Sequence, residues 1–253
     1  MFGSEPWKGR KHYLDKMTLA ELAKAYFTYP AIQTYVALLA ISVGVTVLWA
    51  ESIAPIAVAV SASCLIYALV WYFLHRFVLH GRFLYRSSHT AALWKRVHYD
   101  HHQDPHDLGV LFGAVHTTLP TVFIVTAPMG WLIGGPAGSA AAFAAGLFIT
   151  CFYEFCHCIQ HLAYTPRRRL FQRVKKLHLA HHFHNEQGNF GITSFLWDHV
   201  FGTYYPSPPR VPRSATVFNL GYTDTESGRF PWVAELSGST PGDMPVKEDG
   251  GGV

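Results

Sequence analysis

Four stretches of the chain lose almost all their polar positions: 31–50, 53–74, 109–133 and 137–155. The first three hold no Asp, Glu, Lys or Arg, and the fourth holds only Glu154, close to its end. Each is long enough for a helix to cross the hydrocarbon core of a bilayer, which takes about 20 residues. Only Glu51 and Ser52 join the first two, and only Gly134, Gly135 and Pro136 join the last two. Links this short predict two helical hairpins, so the expected fold is an all-α integral membrane bundle of four transmembrane helices. Three regions follow: an N-terminal segment over 1–30, a membrane domain over 31–205 and a tail over 206–253.

Ahead of the first apolar stretch, Thr18-Leu19-Ala20-Glu21 fits a capping box that opens a short helix. The pattern carries it to Tyr29, with Pro30 as the stop. Leu14, Leu22, Tyr26 and Phe27 give it an apolar side, as in a helix lying on the membrane surface. The first 30 residues lack the apolar core of a cleavable signal peptide. From about Ala234 the chain turns rich in Gly, Pro, Ser and acidic residues, a composition that predicts disorder. No internal repeat of fixed period is present.

Composition agrees with the membrane assignment. Half of the 253 residues are hydrophobic and only 14% are charged, against roughly 25% in soluble domains. The net charge of +4 is small, and no basic block is interleaved with aromatics, which argues against nucleic acid as a partner. Cys64, Cys151, Cys156 and Cys158 lie in or beside apolar stretches and read as buried free thiols. Lysines and arginines decide the orientation. Lys8, Arg10, Lys11, Lys16 and Lys24 precede the first stretch; Arg76, Arg82, Arg86, Lys95 and Arg96 lie between the second and third; Arg167, Arg168, Arg169, Arg173, Lys175 and Lys176 follow the fourth. Neither hairpin tip carries one, so both termini and the central loop are expected in the cytoplasm.

The chemistry lies in the histidines, of which there are 16. Ten fall into four groups: His75 and His80; His98, His101 and His102; His157 and His161; His178, His181 and His182. The expected topology gathers all ten at one membrane face, in a cytoplasmic helical cap. His157 and His161 are four apart and share one helical face, as two ligands of one metal ion must. Successive helical residues point about 100° apart, so His101 and His102 diverge, as do His181 and His182. Each adjacent pair is therefore expected to split between two metals. Angular arithmetic proposes His75, His80, His98, His101 and His181 on one ion, and His102, His157, His161, His178 and His182 on the other. His75 and His80 are five apart, about 140° around an α-helix, so Gly81 or a helix end must let both turn inward.

His12, His89, His106, His116 and His199 are isolated and read as structural. His184 lies just past the last group and is a candidate for a supporting or substrate-contact role. Among the nearby carboxylates, Glu154 and Asp198 are candidates to stand behind the ligands and accept their second N–H; Glu154 is three residues before His157. No catalytic residue is expected beyond the metal centre. After the last histidines, Gly188, Gly191 and Gly202 alternate with Phe190, Phe195, Trp197 and Phe201, a loop suited to covering the metals and meeting an acyl chain.

The order and gaps of these groups resemble the fatty acid hydroxylase superfamily, which includes sterol desaturases and carotenoid hydroxylases. The resemblance runs from about Tyr72 to Tyr204, and KKLHLAHHFHNEQGNFGITSFLWDHVFGT, residues 175–203, is especially similar to fatty acid and ceramide 2-hydroxylases. It implies a four-span enzyme with two iron ions at the cytoplasmic face, zinc being the alternative occupant in a purified sample. The ten grouped histidines match the family's ligand positions. It also implies O2 as cosubstrate and hydroxylation of a lipid acyl chain at C2. Some relatives carry a fused cytochrome b5-like domain; nothing of that size precedes the first apolar stretch, so the expected electron donor is a separate cytochrome b5- or ferredoxin-like protein. A sterol or carotenoid oxidase shares the same ligand set and is the alternative. A metal transporter, the remote alternative, would place its ligands near the bilayer midplane.

Overall fold

The structure is a computed structural model that describes residues 12–238. Within them the regular structure is helical, apart from one antiparallel bridge between Tyr13 and Asp107. Three helical stretches, Pro30–Trp49, Ile53–Arg86 and Leu108–His161, are long and apolar enough to cross a membrane. The last contains a hydrogen-bonded run, Val115–His161, broken where Gly134 (φ −146°, ψ 28°) and Gly135 (φ 58°, ψ −148°) leave helical geometry. At that break the run folds back on itself, with the Phe123 and Phe143 rings 5.3 Å apart. The approach is closest at Gly130, where a Cβ would stand 2.3 Å from the Gly138 carbonyl oxygen. Small residues at such crossings let membrane helices pack backbone to backbone. Pro30–Trp49 and Ile53–Phe73 both pack along this folded run. Outward-facing Ile41, Val47, Leu48, Leu65 and Leu132 are exposed, as a hydrocarbon-facing surface requires.

Several expectations shift in detail. The capping box forms, with the Thr18 N–H donating to Glu21 Oε2 (2.8 Å) and Thr18 Oγ1 accepting from the Glu21 N–H (3.3 Å). The helix ends at Tyr26, short of Tyr29, because the residue before Pro30 is forced extended. On its apolar side Leu22 and Tyr26 are buried, with the Tyr26 hydroxyl donating to the Cys151 carbonyl (2.6 Å), while Phe27 is exposed. The third apolar stretch starts its long helix at Val115 instead of 109, after the separate short helix Leu108–Leu111. All four cysteines are free, but Cys64 is exposed on an outward face of its helix and only Cys158 is buried.

Order also persists past Ala234. The helix Trp232–Ser237 buries Val233 against a cluster containing Tyr85, Trp94 and Tyr222. The Tyr222 hydroxyl also takes the Ala234 N–H (3.2 Å). A composition argument does not register those distant aromatic partners. Residues 239–253, and with them the rest of the expected disordered tail, lie outside the described residues, as do Lys8, Arg10 and Lys11.

Candidate metal centre

All ten grouped histidines converge at one end of the bundle; nine are buried and His80 is half-buried. They arrive on four elements: the end of Ile53–Phe73 with its continuation, the turns over 95–103, the last two turns of Val115–His161, and the helix Arg169–Phe183. Ligand-capable nitrogens lie within 4.8 Å of one another in two sets. One is His75, His80, His98 and His181; the other is His101, His157, His161, His178 and His182. His181 and His182 thus divide between the sets, as adjacent helical residues should. His102 belongs to neither set. Its ring sits 4.2 Å from His182, 4.7 Å from His98 and 5.0 Å from His80, between the two.

The expected division is therefore corrected at two points: His101, assigned to the His75 set, lies in the His157 set, and His102, assigned to the His157 set, lies in neither. The cause is local. Leu74–Leu79 and Lys95–Tyr99 are π-helical turns, and a π turn spends extra residues per revolution. In the first, the His80 N–H donates to the His75 carbonyl (3.1 Å), which brings residues five apart into line. The run also ends at Leu79 with His80 as its C-cap, the helix end that the five-residue spacing called for. In the second, the wider turn shifts the phase of His98 against His101 and His102, so arithmetic based on 3.6 residues per turn assigns His101 wrongly.

The side-chain chemistry fits metal ions. His75 Nε2 lies 3.2 Å from His98 Nε2, which is 2.9 Å from His80 Nε2. His101 and His157 approach through Nε2 at 3.0 Å, His161 and His178 at 2.8 Å. Two nitrogens on one ion at about 2.1 Å stand roughly 3 Å apart. Backbone carbonyls hold the opposite ring atoms. Nδ1–H donates from His75 to Phe190 (2.6 Å), from His181 to Gly188 (2.7 Å) and from His102 to Val217 (3.0 Å). That choice of tautomer leaves each Nε2 lone pair free to ligate. The Nε2 atoms of His102 and His181, and both ring nitrogens of His182, are buried without a hydrogen-bond partner. Buried unpaired nitrogens are costly in a fold that gives them nothing to bind.

Burial pushes the His102 and His181 imidazoles down to about 3, with neighbouring imidazoles adding to the shift, and drives His98, His178 and His182 well below the ordinary range. They are neutral at pH 7, the form a metal ion binds. An all-nitrogen donor set of this kind suits Fe, Zn, Cu or Ni.

The supporting candidates behave differently from one another. Asp198 accepts from the Phe190 N–H (2.8 Å), the Gly191 N–H (2.9 Å) and the Thr203 hydroxyl (2.7 Å). It fixes the loop whose Phe190 carbonyl orients His75, two links from the ligand. His184 bonds through Nε2 to the Val211 carbonyl (2.9 Å) and joins neither set. Glu154 touches no imidazole by hydrogen bond; it accepts the Gly113 N–H at 3.3 Å.

Sequence reading missed Glu186 and Asn189. Glu186 is buried and accepts from Ser214 Oγ (2.9 Å) and Thr216 Oγ1 (2.6 Å), which ties down the segment presenting the Val217 carbonyl to His102. Asn189 adopts φ 55° and is bonded through its side chain to both the N–H and the carbonyl of Tyr205. An asparagine flanked by Gly188 and Gly191 is a readable sign of such a left-handed turn.

Beside the imidazoles is a cavity of about 170 Å³, floored by His75, His98, His101 and His157 and walled mainly by apolar side chains, among them Trp71, Leu74, Val78, Leu111, Tyr153 and Ile192. Histidines of both sets open onto it.

Comparison with known proteins gives this arrangement a relative set. The fatty acid hydroxylase family model matches residues 60–203, more than half of the chain. Over 151 residues the chain is 34% identical to the ceramide very long chain fatty acid hydroxylase SCS7 of Saccharomyces cerevisiae, covering 55% of this chain and 36% of that one. Over 149 residues it is 33% identical to the dihydroceramide fatty acyl 2-hydroxylase FAH2 of Arabidopsis thaliana, covering 58% and 61%. It thus spans less than two thirds of either relative. A solved structure of full-length Scs7p, in which only the hydroxylase domain is visible, superposes with a TM-score of 0.57 at 30% identity, over 79% of this chain and 71% of that one. With its histidine groups inside the matched region, the chain belongs to the fatty acid hydroxylase family.

Proposed function

We propose that this protein is a membrane-bound hydroxylase that places a hydroxyl on C2 of a lipid acyl chain, using O2, two iron ions held by the ten grouped histidines, and two electrons from a separate cytochrome b5- or ferredoxin-like donor. The observation that carries this is the apolar cavity whose floor is made of imidazoles from both sets. The net reaction inserts one atom of O2 into a C–H bond, while two electrons and two protons take the other to water. Bound iron would supply the redox chemistry with O2 that an unactivated C–H bond requires and that zinc lacks.

The chain's own residues do the remaining work. Neutral imidazoles offer lone pairs, and the carbonyls of Gly188, Phe190 and Val217 hold His181, His75 and His102 in the ligating tautomer. Trp71, Leu74, Val78 and Tyr153 form a dry wall along which an acyl chain can lie. Counting the two arms of Val115–His161 separately gives four membrane crossings, with the cluster and both termini on the cytoplasmic side. The site then meets the interface, where an acyl carbonyl resides while its tail stays in hydrocarbon. Exposed Arg167, Arg168, Arg169, Arg173 and Lys176 lie on and before the helix bearing His178, a basic surface suited to an acidic electron donor.

Lipid mass spectrometry of cells making the protein with a working electron donor, against cells making His157→Ala, tests the proposal. New 2-hydroxy acyl lipids are expected with the intact protein and at least a 100-fold loss with the variant. Altered sterols or carotenoids without 2-hydroxy acyl lipids would replace the acyl assignment by a sterol or carotenoid oxidase.

A further inference from the structure

The basic surface along Arg169–Phe183 has an apolar edge that an electron donor does not explain. Leu170, Val174, Leu177, His178 and His181 fall at i, i+4, i+7, i+8 and i+11, one stripe of that helix. Phe171, His178 and His182 (i, i+7, i+11) run beside it. The stripe is buried at Leu177, His178 and His181, where it meets the histidine cluster, and half-buried at Val174. At its N-terminal end it leaves the body of the protein: Leu170 is 66% exposed and Phe171 56%.

A second uncovered patch lies alongside. The Arg173 guanidinium donates to the Tyr204 hydroxyl (2.5 Å), and the Tyr204 ring stacks on His199 at 3.8 Å. His199 belongs to the short helix Leu196–Val200, whose Leu196 and Val200, four apart on one face, are 58% and 59% exposed. Phe201, next in the chain, packs on Phe73 (5.2 Å) and Tyr72 (5.3 Å) at the end of the helix Ile53–Phe73. The patch is thus continuous with the hydrocarbon-facing girdle, at the level where that girdle stops. Charge agrees. Arg167 and Arg168, just before Leu170, and Arg173 are exposed, while the only carboxylates from 163 to 205, Glu186 and Asp198, are buried. Apolar side chains flanked by arginines, with no exposed acid among them, match the boundary of an anionic lipid leaflet.

We propose that Leu170, Phe171, Leu196 and Val200 enter the bilayer surface beside the histidine cluster, and that Arg167, Arg168 and Arg173 hold anionic phospholipid headgroups there. The surface seats two segments of the centre on the membrane. One is the helix carrying His178, His181 and His182; the other carries Asp198, which fixes the Phe190 loop. Arg169 and Lys176, seven apart and turned away from the stripe, stay in water for a protein partner. The inference is independent of the lipid that the cavity takes as substrate.

The full chain in nanodiscs tests it, with one tryptophan added at a time and lipids brominated near the headgroup as quenchers. Brominated phosphatidylglycerol and phosphatidylcholine are compared at equal mole fraction, each variant read against the unsubstituted protein. Phe171→Trp and Val200→Trp should be quenched by both lipids and Lys176→Trp by neither. Phosphatidylglycerol should be preferred by roughly 5-fold or more, the effect of a basic side chain at an anionic surface. The triple variant Arg167→Gln, Arg168→Gln, Arg173→Gln should lose that preference while phosphatidylcholine still quenches. Should it aggregate, Arg168→Gln alone should lower the preference severalfold. Exchanging chloride for phosphate at constant ionic strength should change nothing; loss of the preference there would mean that a free anion is bound and not a headgroup. Equal quenching by the two lipids also overturns the headgroup assignment. Quenching at Phe171→Trp no stronger than at Lys176→Trp overturns the whole inference and leaves this surface to a protein partner.

Discussion

Each imidazole has two nitrogens, and this protein directs one inward by occupying the other. Where a backbone carbonyl takes Nδ1–H, as for His75, His102 and His181, the Nε2 lone pair is left for the centre. His182 has no such partner on either nitrogen, whereas the Nε2 of His184, two positions on, is bound to the Val211 carbonyl. This contrast separates a candidate ligand from its neighbour. His182→Ala should lower bound metal by about half or more, while His184→Ala should keep full loading and lose about 1 kcal/mol of stability with its hydrogen bond. Elemental analysis of both purified variants decides; equal metal loss in the two would put His184 among the ligands. The histidines that converge in the cluster were legible from spacing, because chelation would demand a shared face. Their carbonyl partners were not, since any residue type can present a carbonyl and only the path of the 186–217 segment selects Gly188, Phe190 and Val217.

Elements place these residues, and here the 3.6-residue repeat both served and failed. It put His157 and His161 on one face of a helix that does run on to His161. It misplaced His101 because two π turns, Leu74–Leu79 and Lys95–Tyr99, break the repeat inside histidine-bearing segments. No turn residue marks a π turn, so nothing in the local sequence announced them. The hairpin at Gly134-Gly135 was legible from glycine and proline, but not how closely its arms approach: at Gly130 even a methyl group would meet the Gly138 carbonyl at 2.3 Å. Gly130→Ala should therefore push the arms apart and cost about 1–3 kcal/mol, seen as a drop of several degrees in Tm in detergent. Gly44→Ala meets nothing within 4 Å and should leave Tm unchanged or slightly raised, as alanine favours a helix interior. If both variants unfolded at the same temperature, the arms would not be in backbone contact.

At the scale of the whole molecule, the histidine cluster and the Gly134-Gly135 turn belong to opposite ends of the bundle. The two arms of Val115–His161 run from that turn to the segments bearing Gly113 at one end and His157 at the other, which meet again through the Gly113–Glu154 hydrogen bond. Any membrane enclosing the apolar girdle must therefore separate turn from cluster. Charge then predicts the direction: 16 of the 20 basic residues lie before the first apolar stretch, between the second and third, and after the fourth as far as Lys176, and neither Glu51-Ser52 nor Gly134-Gly135-Pro136 contributes one. On the proposed topology, the positive-inside bias predicts the cluster in the cytoplasm and the two tips across the membrane. In a variant whose exposed Cys64 and other cysteines are replaced, a cysteine at Gly135 should react with an impermeant maleimide added to intact cells. One at Ser214, on the segment that holds His102 in place, should react only after permeabilisation. The reverse pattern would invert the protein and move electron delivery to the other compartment; labelling of both sites from outside would show that the Val115–His161 run does not cross at all.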